Sequence, residues 1–330
     1  MKLSLIVTTI GLSFALSVDG CSSTSSEFSP EALAKAKAAS SAVHGDNLHQ
    51  DIVAIVAQRQ LEDAPVSHYN VQAPLARTNA AKYLTDAFTK IGLAPVVETA
   101  ALSVGDSNTI SADIQGSAPG LVLLTGHYDA WFRAGADDNG SALAVLLEAA
   151  RVLKDTKPKR TVRLIAFDRE EEGIIGSAAY FAAHRRDDIR IVINMDCVGY
   201  ARHFAGSQLA PPGLTLRDVG NFLAVLANGP AERHLARFAN LSRSPESSLD
   251  VLGLLAPDDS HYVGTGAFLQ SDHVSPWNDG IPSLFLTDTA DFRNPNYHEP
   301  SDLPETLDYD FLASVARLTI GATAAFAESD

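Results

Sequence analysis

From Leu121 onward the chain alternates short apolar runs with segments of helical periodicity, and each apolar run leads into residues able to bind metal. Leu121 to Leu124 leads into Thr125-Gly126-His127-Tyr128-Asp129, and Val162 to Phe167 leads into Asp168-Arg169-Glu170-Glu171. Ile191 to Met195 leads into Asp196, and Ile281 to Leu286 runs toward Tyr297-His298. Such alternation folds as a largely parallel sheet with helices on both faces. Ligands bind such sheets at the carboxyl ends of the strands, so residues spread over about 170 positions can converge on one edge.

The helical segments in this half are Gly140 to Leu153, Gly173 to Arg185, Leu216 to Asn228 and Glu232 to Ala239, closed by an Ala-rich helix over Asp302 to Glu328 interrupted early by Pro304. Upstream, Ser29-Pro30 reads as a cap and first helical residue for a helix to Ala42. A second helix spans Asn47 to Leu61. Ala81, Leu84, Phe88 and Ile91 form one face of a third that ends at Gly92. Pro95 to Ser103 and Asn108 to Gln115 read as strands joined by a Gly-Asp turn. The expected fold is a three-layer α/β/α domain with a mostly parallel, mixed central sheet.

With 46% hydrophobic residues in 330, the chain can build a large core. A net charge of −15, with no basic tract after the N-terminal region, argues against nucleic acid as a partner. Met1 to Gly20 carries Lys2 and an apolar stretch from Leu3 to Leu16, the length of a signal-peptide core and short for a membrane span. Val18-Asp19-Gly20-Cys21 resembles a lipobox, although Asp19 is an unusual neighbour for such a cleavage site, and a plain secretory signal is the alternative. The expected organisation is a signal peptide over 1–20, a Ser-rich tether over 21–29 and one folded domain over 30–330. Cys21 would carry a lipid anchor outside the cytoplasm, and Cys197, inside an apolar strand pattern, reads as a small core thiol.

His127 and Asp129 make an H-x-D element in which the imidazole can bind metal while the carboxylate orients its other nitrogen. Gly135-Ala136-Asp137-Asp138-Asn139-Gly140-Ser141 sets two acids among small residues just before an apolar helix. A helix cap accounts for one of those acids and leaves the other unexplained. Glu170, Glu171 and Glu172 follow a buried strand, where their repulsion is costly unless a cation offsets it, although acids also suit a helix N-terminus. Asp196 at a strand end needs a partner for its charge. His298 lies in a polar, Pro-punctuated loop and gains weight only from its company.

Taken in order, Gly126-His127-Tyr128-Asp129, Gly135 to Ser141, Glu170 to Ser177, Asn194-Met195-Asp196 and Tyr297-His298 resemble the motifs of the co-catalytic dizinc aminopeptidases, metallopeptidase family twenty-eight, from about Asn70 to Ala324. The resemblance implies the zinc-dependent exopeptidase architecture and two zinc ions. One would be held by His127, Asp138 and Asp196 and the other by Asp138, Glu171 and His298, with Asp138 bridging. It further implies Glu170 as general base, Asp129 as the group orienting His127, and peptides with a free N-terminus as substrates.

A glutaminyl cyclase shares the architecture with a single zinc, and the presence of both His127 and Asp196 favours peptide hydrolysis instead. Dizinc amidohydrolases and carboxypeptidases with an inserted dimerisation domain also carry H-x-D and Glu-Glu elements but would need a second α/β unit between the metal motifs, and no segment has that pattern. A receptor-like relative without activity would lack site residues that are present here. Ser271-Asp272-His273 resembles a supporting family element, with structural hydrogen bonding the simpler reading. Trp277, Phe292 and Tyr297 are candidates for an apolar specificity pocket but read first as packing. Arg133, Arg202 and Arg293 are candidates for contacting a substrate carboxylate, which leaves carboxypeptidase or dipeptidase action open.

Overall fold

Eight strands among the described residues form one mixed sheet in the order β1-β2-β4-β3-β5-β8-β6-β7. The strands are β1 Val96–Ala100, β2 Ser107–Ile114, β3 Ala118–His127, β4 Arg160–Phe167, β5 Ile189–Met195, β6 Leu223–Ala227, β7 Val251–Leu255 and β8 Ser283–Thr287. The helices are α1 Pro30–Ser41, α2 Gly45–Arg59, α3 Pro74–Ile91, α4 Ala142–Leu153, α5 Ile175–Ala183, α6 Glu232–Leu241, α7 Val274–Asn278 and α8 Tyr309–Glu328. This computed structural model describes residues 27–59, 74–131, 134–211, 215–256 and 265–329. The expected signal peptide, Cys21, most of the expected tether and Arg133 lie outside them.

β3, β4, β5 and β8 run parallel, so their carboxyl ends share one edge of the sheet. β1 and β2 extend the sheet antiparallel on one side, and β6 pairs antiparallel with β8 on the other. Alternate side chains divide between two cores, as the two-residue strand period requires. Val122, Leu124, Val162, Leu164, Ile191 and Ile193 join the core that includes α1, α2, α4 and α8. Leu123, Ile165, Phe167 and Val192 point the other way and pack with Tyr180 and Phe181 of α5. Each such large apolar side chain, fully buried, contributes about 1.5–3 kcal/mol.

Local signals explain the helix starts. Ser29 Oγ accepts from Ala32 N at 3.2 Å with Pro30 in the first turn, and Asp308 accepts from Phe311 N at 2.9 Å to open α8. The last helix therefore begins at Tyr309, after a separate turn at Pro304–Thr306, and not at Asp302. α8 is long and apolar enough to cross a membrane, yet it is mostly buried against α1, β3 and β4 and is a core helix.

One element differs in kind from expectation. Leu216 to Asn228, read as a helix, instead holds the strand β6, buried between β7 and β8. A five-residue run such as Leu-Ala-Val-Leu-Ala carries no periodicity that separates a buried strand from a buried helix, so only its pairing partners decide. β7, with Gly253 at its centre, had no strand signal for the same reason.

Candidate metal centre

The site is built where strands stop. His127 is the last residue of β3 and pairs in register with Phe167, the last of β4, so that Asp168 to Glu171 leave the sheet beside it. Asp196 follows β5 directly. Asp138 arrives on the tight turn Ala136–Ser141 ahead of α4, and His298 comes from the loop after β8. His298 has φ of 57° and Cys197, beside Asp196, 49°, left-handed conformations that non-glycine residues adopt at a cost and that concentrate at functional sites.

Asp138 stands between two imidazoles. Its Oδ1 is 3.3 Å from His127 Nε2 and its Oδ2 is 3.1 Å from His298 Nε2. His127 Nε2 is also 3.4 Å from Asp196 Oδ1 and 3.9 Å from Glu170 Oε2, whereas His298 Nε2 is 3.2 Å from Glu171 Oε2. Potential donor atoms of His127, Glu170 and Asp196, and likewise of His127, Asp138 and Glu171, fall within 4.8 Å of one another. His298 Nε2 and Glu171 Oε1 are buried without a well-formed hydrogen bond. Close donors that do not satisfy one another as hydrogen bonds suit a cation better than they suit each other.

The electrostatics agree. Burial, with Asp138 next to it, pushes the Glu171 carboxyl up to about 7, and burial holds Glu170 well above the carboxylate range. Burial alone would lower both imidazoles, but Asp196, Asp129 and Asp138 raise His127 well above its ordinary value, and Asp138 and Glu171 bring His298 to about 10. Burial would raise Asp138, but the two histidines hold it well below the carboxylate range. Without a cation, these carboxylates depend on protons and imidazolium charge for neutralisation.

Around these groups lies a layer that fixes them. Asp129 Oδ1 and Oδ2 accept from the amides of Glu170 and Glu171 at 3.1 and 3.2 Å. His127 Nδ1 is 3.1 Å from the Asp129 carbonyl and 3.4 Å from its carboxylate, so the backbone oxygen is the nearer partner for the ring. The Asp302 carboxylate accepts from the amides of Asp137 and Asp138 at 3.0 and 3.1 Å. Asp137 accepts from Gly199 N and Asn294 Nδ2, both at 2.8 Å, tying the turn to the loops after β5 and β8. Asn139 Nδ2 donates to the Met195 carbonyl at 2.9 Å. Sequence reasoning had no signal for the roles of Asp302 and Asn139, which depend on backbone amides and a carbonyl brought together by the fold, or of Asn294, which depends on the buried Asp137 carboxylate.

The secondary candidates separate. His273 is fully buried, its Nε2 2.7 Å from the Phe268 carbonyl and its ring stacked on Phe285 at 4.0 Å, and burial lowers it to about 3. Asp272 is buried with neither carboxylate oxygen hydrogen-bonded. Phe292 and Tyr297 line an apolar cavity with Leu226, Leu252, Phe268 and Phe285, and Asp196 and Cys197 form part of its wall. Trp277 packs into the cluster behind it. Arg293 is buried, donates to Gln208 Oε1 and the Tyr200 carbonyl, and stacks over Phe222, so it is committed to packing and unavailable to a substrate carboxylate. Arg202 lies over the Tyr200 ring.

Comparison with known proteins bears on this geometry. The pattern of peptidase family M28 matches residues 109–218. The protein YfbL of Escherichia coli is 31% identical over 258 residues, covering 72% of this chain and 76% of YfbL. The leucine aminopeptidase 1 of Trichophyton rubrum is 26% identical over 231 residues, covering 65% of this chain. The chain spans 56% of that fungal relative's length. Among solved structures, the LapA aminopeptidase of Legionella pneumophila superposes with a TM-score of 0.69 at 21% identity, covering 94% of this chain and 78% of LapA. A glutaminyl cyclase of Porphyromonas gingivalis gives 0.56 at 19%, covering 85% and 98%. The fold is thus the one these enzymes share, and the chain belongs to peptidase family M28.

Proposed function

We propose that the protein is a dizinc aminopeptidase that removes N-terminal residues from peptides. The observation that carries this reading is the placement of Asp138, with one oxygen toward each imidazole. His127, Asp138 and Asp196 would hold one zinc and Asp138, Glu171 and His298 the other. Two histidines and three carboxylates give each ion three protein ligands, leaving room for water as catalytic sites require. Bound zinc supplies a lowered pKa for that water and polarisation of the scissile carbonyl.

The chain's own residues do the rest. Glu170, buried at the site and kept there by its amide's bond to Asp129, accepts the proton of the attacking water and hands it to the leaving nitrogen. Asp129 holds the Glu170-Glu171 backbone and the His127 ring in one arrangement. The cavity bounded by Phe285, Phe292 and Tyr297 and walled in part by Asp196 takes an apolar side chain next to the reacting bond.

The test is metal analysis of the purified protein together with digestion of a mixed peptide library. Two zinc ions per chain, activity lost on chelation and restored by zinc, and cleavage from the N-terminus are expected. At most one tightly bound zinc with activity already maximal would instead support the glutaminyl cyclase reading, and release from the C-terminus a carboxypeptidase. We further propose export and membrane attachment through a lipid on Cys21. Replacing Cys21 by Ser should move the protein from the membrane fraction to the soluble one, and a wild type that is already soluble with a different first residue would reject the anchor.

A further inference from the structure

Arg59, the last residue of α2, is fully buried although its charge makes it among the costliest side chains to desolvate. Among the described residues no carboxylate pairs with it directly. Its guanidinium is instead spent on backbone. Nη2 donates to the Tyr128 carbonyl at 2.8 Å, with the Asp129 carbonyl at 3.4 Å. Nη1 donates to the Gly135 carbonyl at 2.7 Å, with the Ala134 carbonyl at 3.4 Å. One pair of carbonyls belongs to the loop that starts directly after His127, and the other to the approach to the turn that carries Asp138.

The fit on the Asp138 side is close. Gly135 has φ of 58°, and a β-carbon there would lie 2.8 Å from Arg59 Nη1 and 2.3 Å from the Asp138 carbonyl oxygen. Only glycine lets the guanidinium and the turn approach this closely. The planar fork of arginine can address two carbonyl groups in fixed directions at once, whereas a lysine ammonium is a point donor on a flexible stem. Burial lowers the guanidinium to about 10, against the opposing pull of Asp129, Asp138, Asp302 and Glu171, so its charge is answered through space by the acids of the site.

We propose that Arg59 is a positioning residue of the metal centre: its guanidinium bolts the His127 loop to the Asp138 turn and so sets the separation of the two ligands. The inference rests on the dizinc reading above. It also assigns a role to α2, which lies outside the segment matched by the family pattern. The consequence is that α2 is part of the active centre's construction as well as of the core.

The test compares the wild type with Arg59→Lys and Arg59→Met in the otherwise intact protein. Zinc affinity is read by chelator competition, kcat and KM on a peptide substrate, and the unfolding midpoint in EDTA and in zinc. Loss of a group that orients ligands from outside typically costs about 10–100-fold in metal affinity or activity. Arg59→Met is expected to weaken zinc binding by that order and to lower kcat with KM changed little. The midpoint gained on adding zinc should shrink. Arg59→Lys, which keeps the charge but loses the fork, should fall between the two and retain the wild-type midpoint in EDTA.

If zinc affinity and kcat in Arg59→Met stay within about twofold of wild type while the midpoint falls equally in EDTA and zinc, Arg59 is merely structural and the proposal is wrong. Should Arg59→Met fail to fold, Arg59→Lys decides, and wild-type zinc affinity and kcat there overturn the bolt. A wild type that binds no zinc would overturn the dizinc reading itself, which keeps the two failures apart.

Discussion

The two halves of the proposed metal centre are built from different material. His127, Asp196 and Glu170 leave the ends of adjacent parallel strands, and the His127 side chain is 0% exposed. His298 comes from a loop and is 31% exposed, its ring stacked with Tyr297 at 3.9 Å and Trp131 at 5.1 Å. The inner half inherits its geometry from the sheet's hydrogen-bond ladder. The outer half is held by local contacts, chiefly aromatic stacking and the Asn294 to Asp137 bond. Loops open at lower free energy than strands at the centre of a sheet, so the outer half should exchange its ion more readily, with Asp138 as the element common to both.

The sharpest test of a division of labour is at the adjacent acids. Glu170→Gln keeps shape and neutralises a group that, on the proposed reading, moves a proton without being a ligand. Turnover should fall by roughly 10²–10⁴ with both zinc ions retained. Glu171→Gln should lose zinc from the outer half. Metal loss in Glu170→Gln with full occupancy in Glu171→Gln would swap the roles, and near-wild-type turnover in Glu170→Gln would remove it as the base.

Next in size is the contrast between the histidines. His127→Ala removes a fully buried partner of Asp138 and Asp196, leaving carboxylates uncompensated, and should cost the metal-free protein about 1–3 kcal/mol as well as the inner zinc. His298→Ala, at a half-buried loop position, should lose the outer zinc while costing the metal-free protein less, by chemical denaturation in EDTA, than His127→Ala does. Equal destabilisation by the two substitutions would break the distinction between inner and outer halves.

The acids also predict a pH dependence. Burial raises the folded Glu171 to about 7 from its ordinary 4.5 and holds Glu170 well above that ordinary value. Between pH 4.5 and about 7 the folded, metal-free chain therefore holds more protons than the unfolded one, and its stability falls as pH rises through that window. His298, raised to about 10 from 6.5, continues the decline above neutrality. On the proposed reading, zinc requires Glu171 and His298 deprotonated and replaces their protons as counter-charge. The unfolding midpoint gained on adding zinc should therefore grow from about pH 5 to about pH 7.5, and a gain independent of pH would mean that the acids are not neutralised by protons in the free protein.

What the sequence made legible follows from what each signal depends on. Strands β3, β4 and β5 announced themselves because long apolar runs end on His127, Asp168 and Asp196, and a strand's end is a local fact. β6 and β7 did not, since a strand of only five residues takes its state from its neighbours. The same contrast runs through the site. The candidate ligands are side chains whose chemistry shows in their letters, whereas Arg59, Asp302 and Asn139 act on main-chain amides and carbonyls that no motif displays. Asp129 shows both sides: the H-x-D spacing placed it beside His127, but its carboxylate is chiefly engaged with the amides of Glu170 and Glu171.

The smallest expected effect probes the outer half without touching a ligand. Trp131 stacks on His298 at an angle of 14° between ring planes, and it sits four residues after His127, so it spans both halves of the site in sequence while contacting only the outer imidazole by stacking. Aromatic stacking contributes about 0.5–1.5 kcal/mol beyond area burial, which corresponds to roughly 2–12-fold in an equilibrium constant. Trp131→Ala should therefore loosen the weaker zinc by that factor, Trp131→Phe should restore most of it, and the tighter zinc should be unmoved in both. Chelator-competition titrations resolve the two ions. If both ions weaken equally in Trp131→Ala, the stacked ring braces the whole centre, and the outer half has no independent support from its aromatic neighbours.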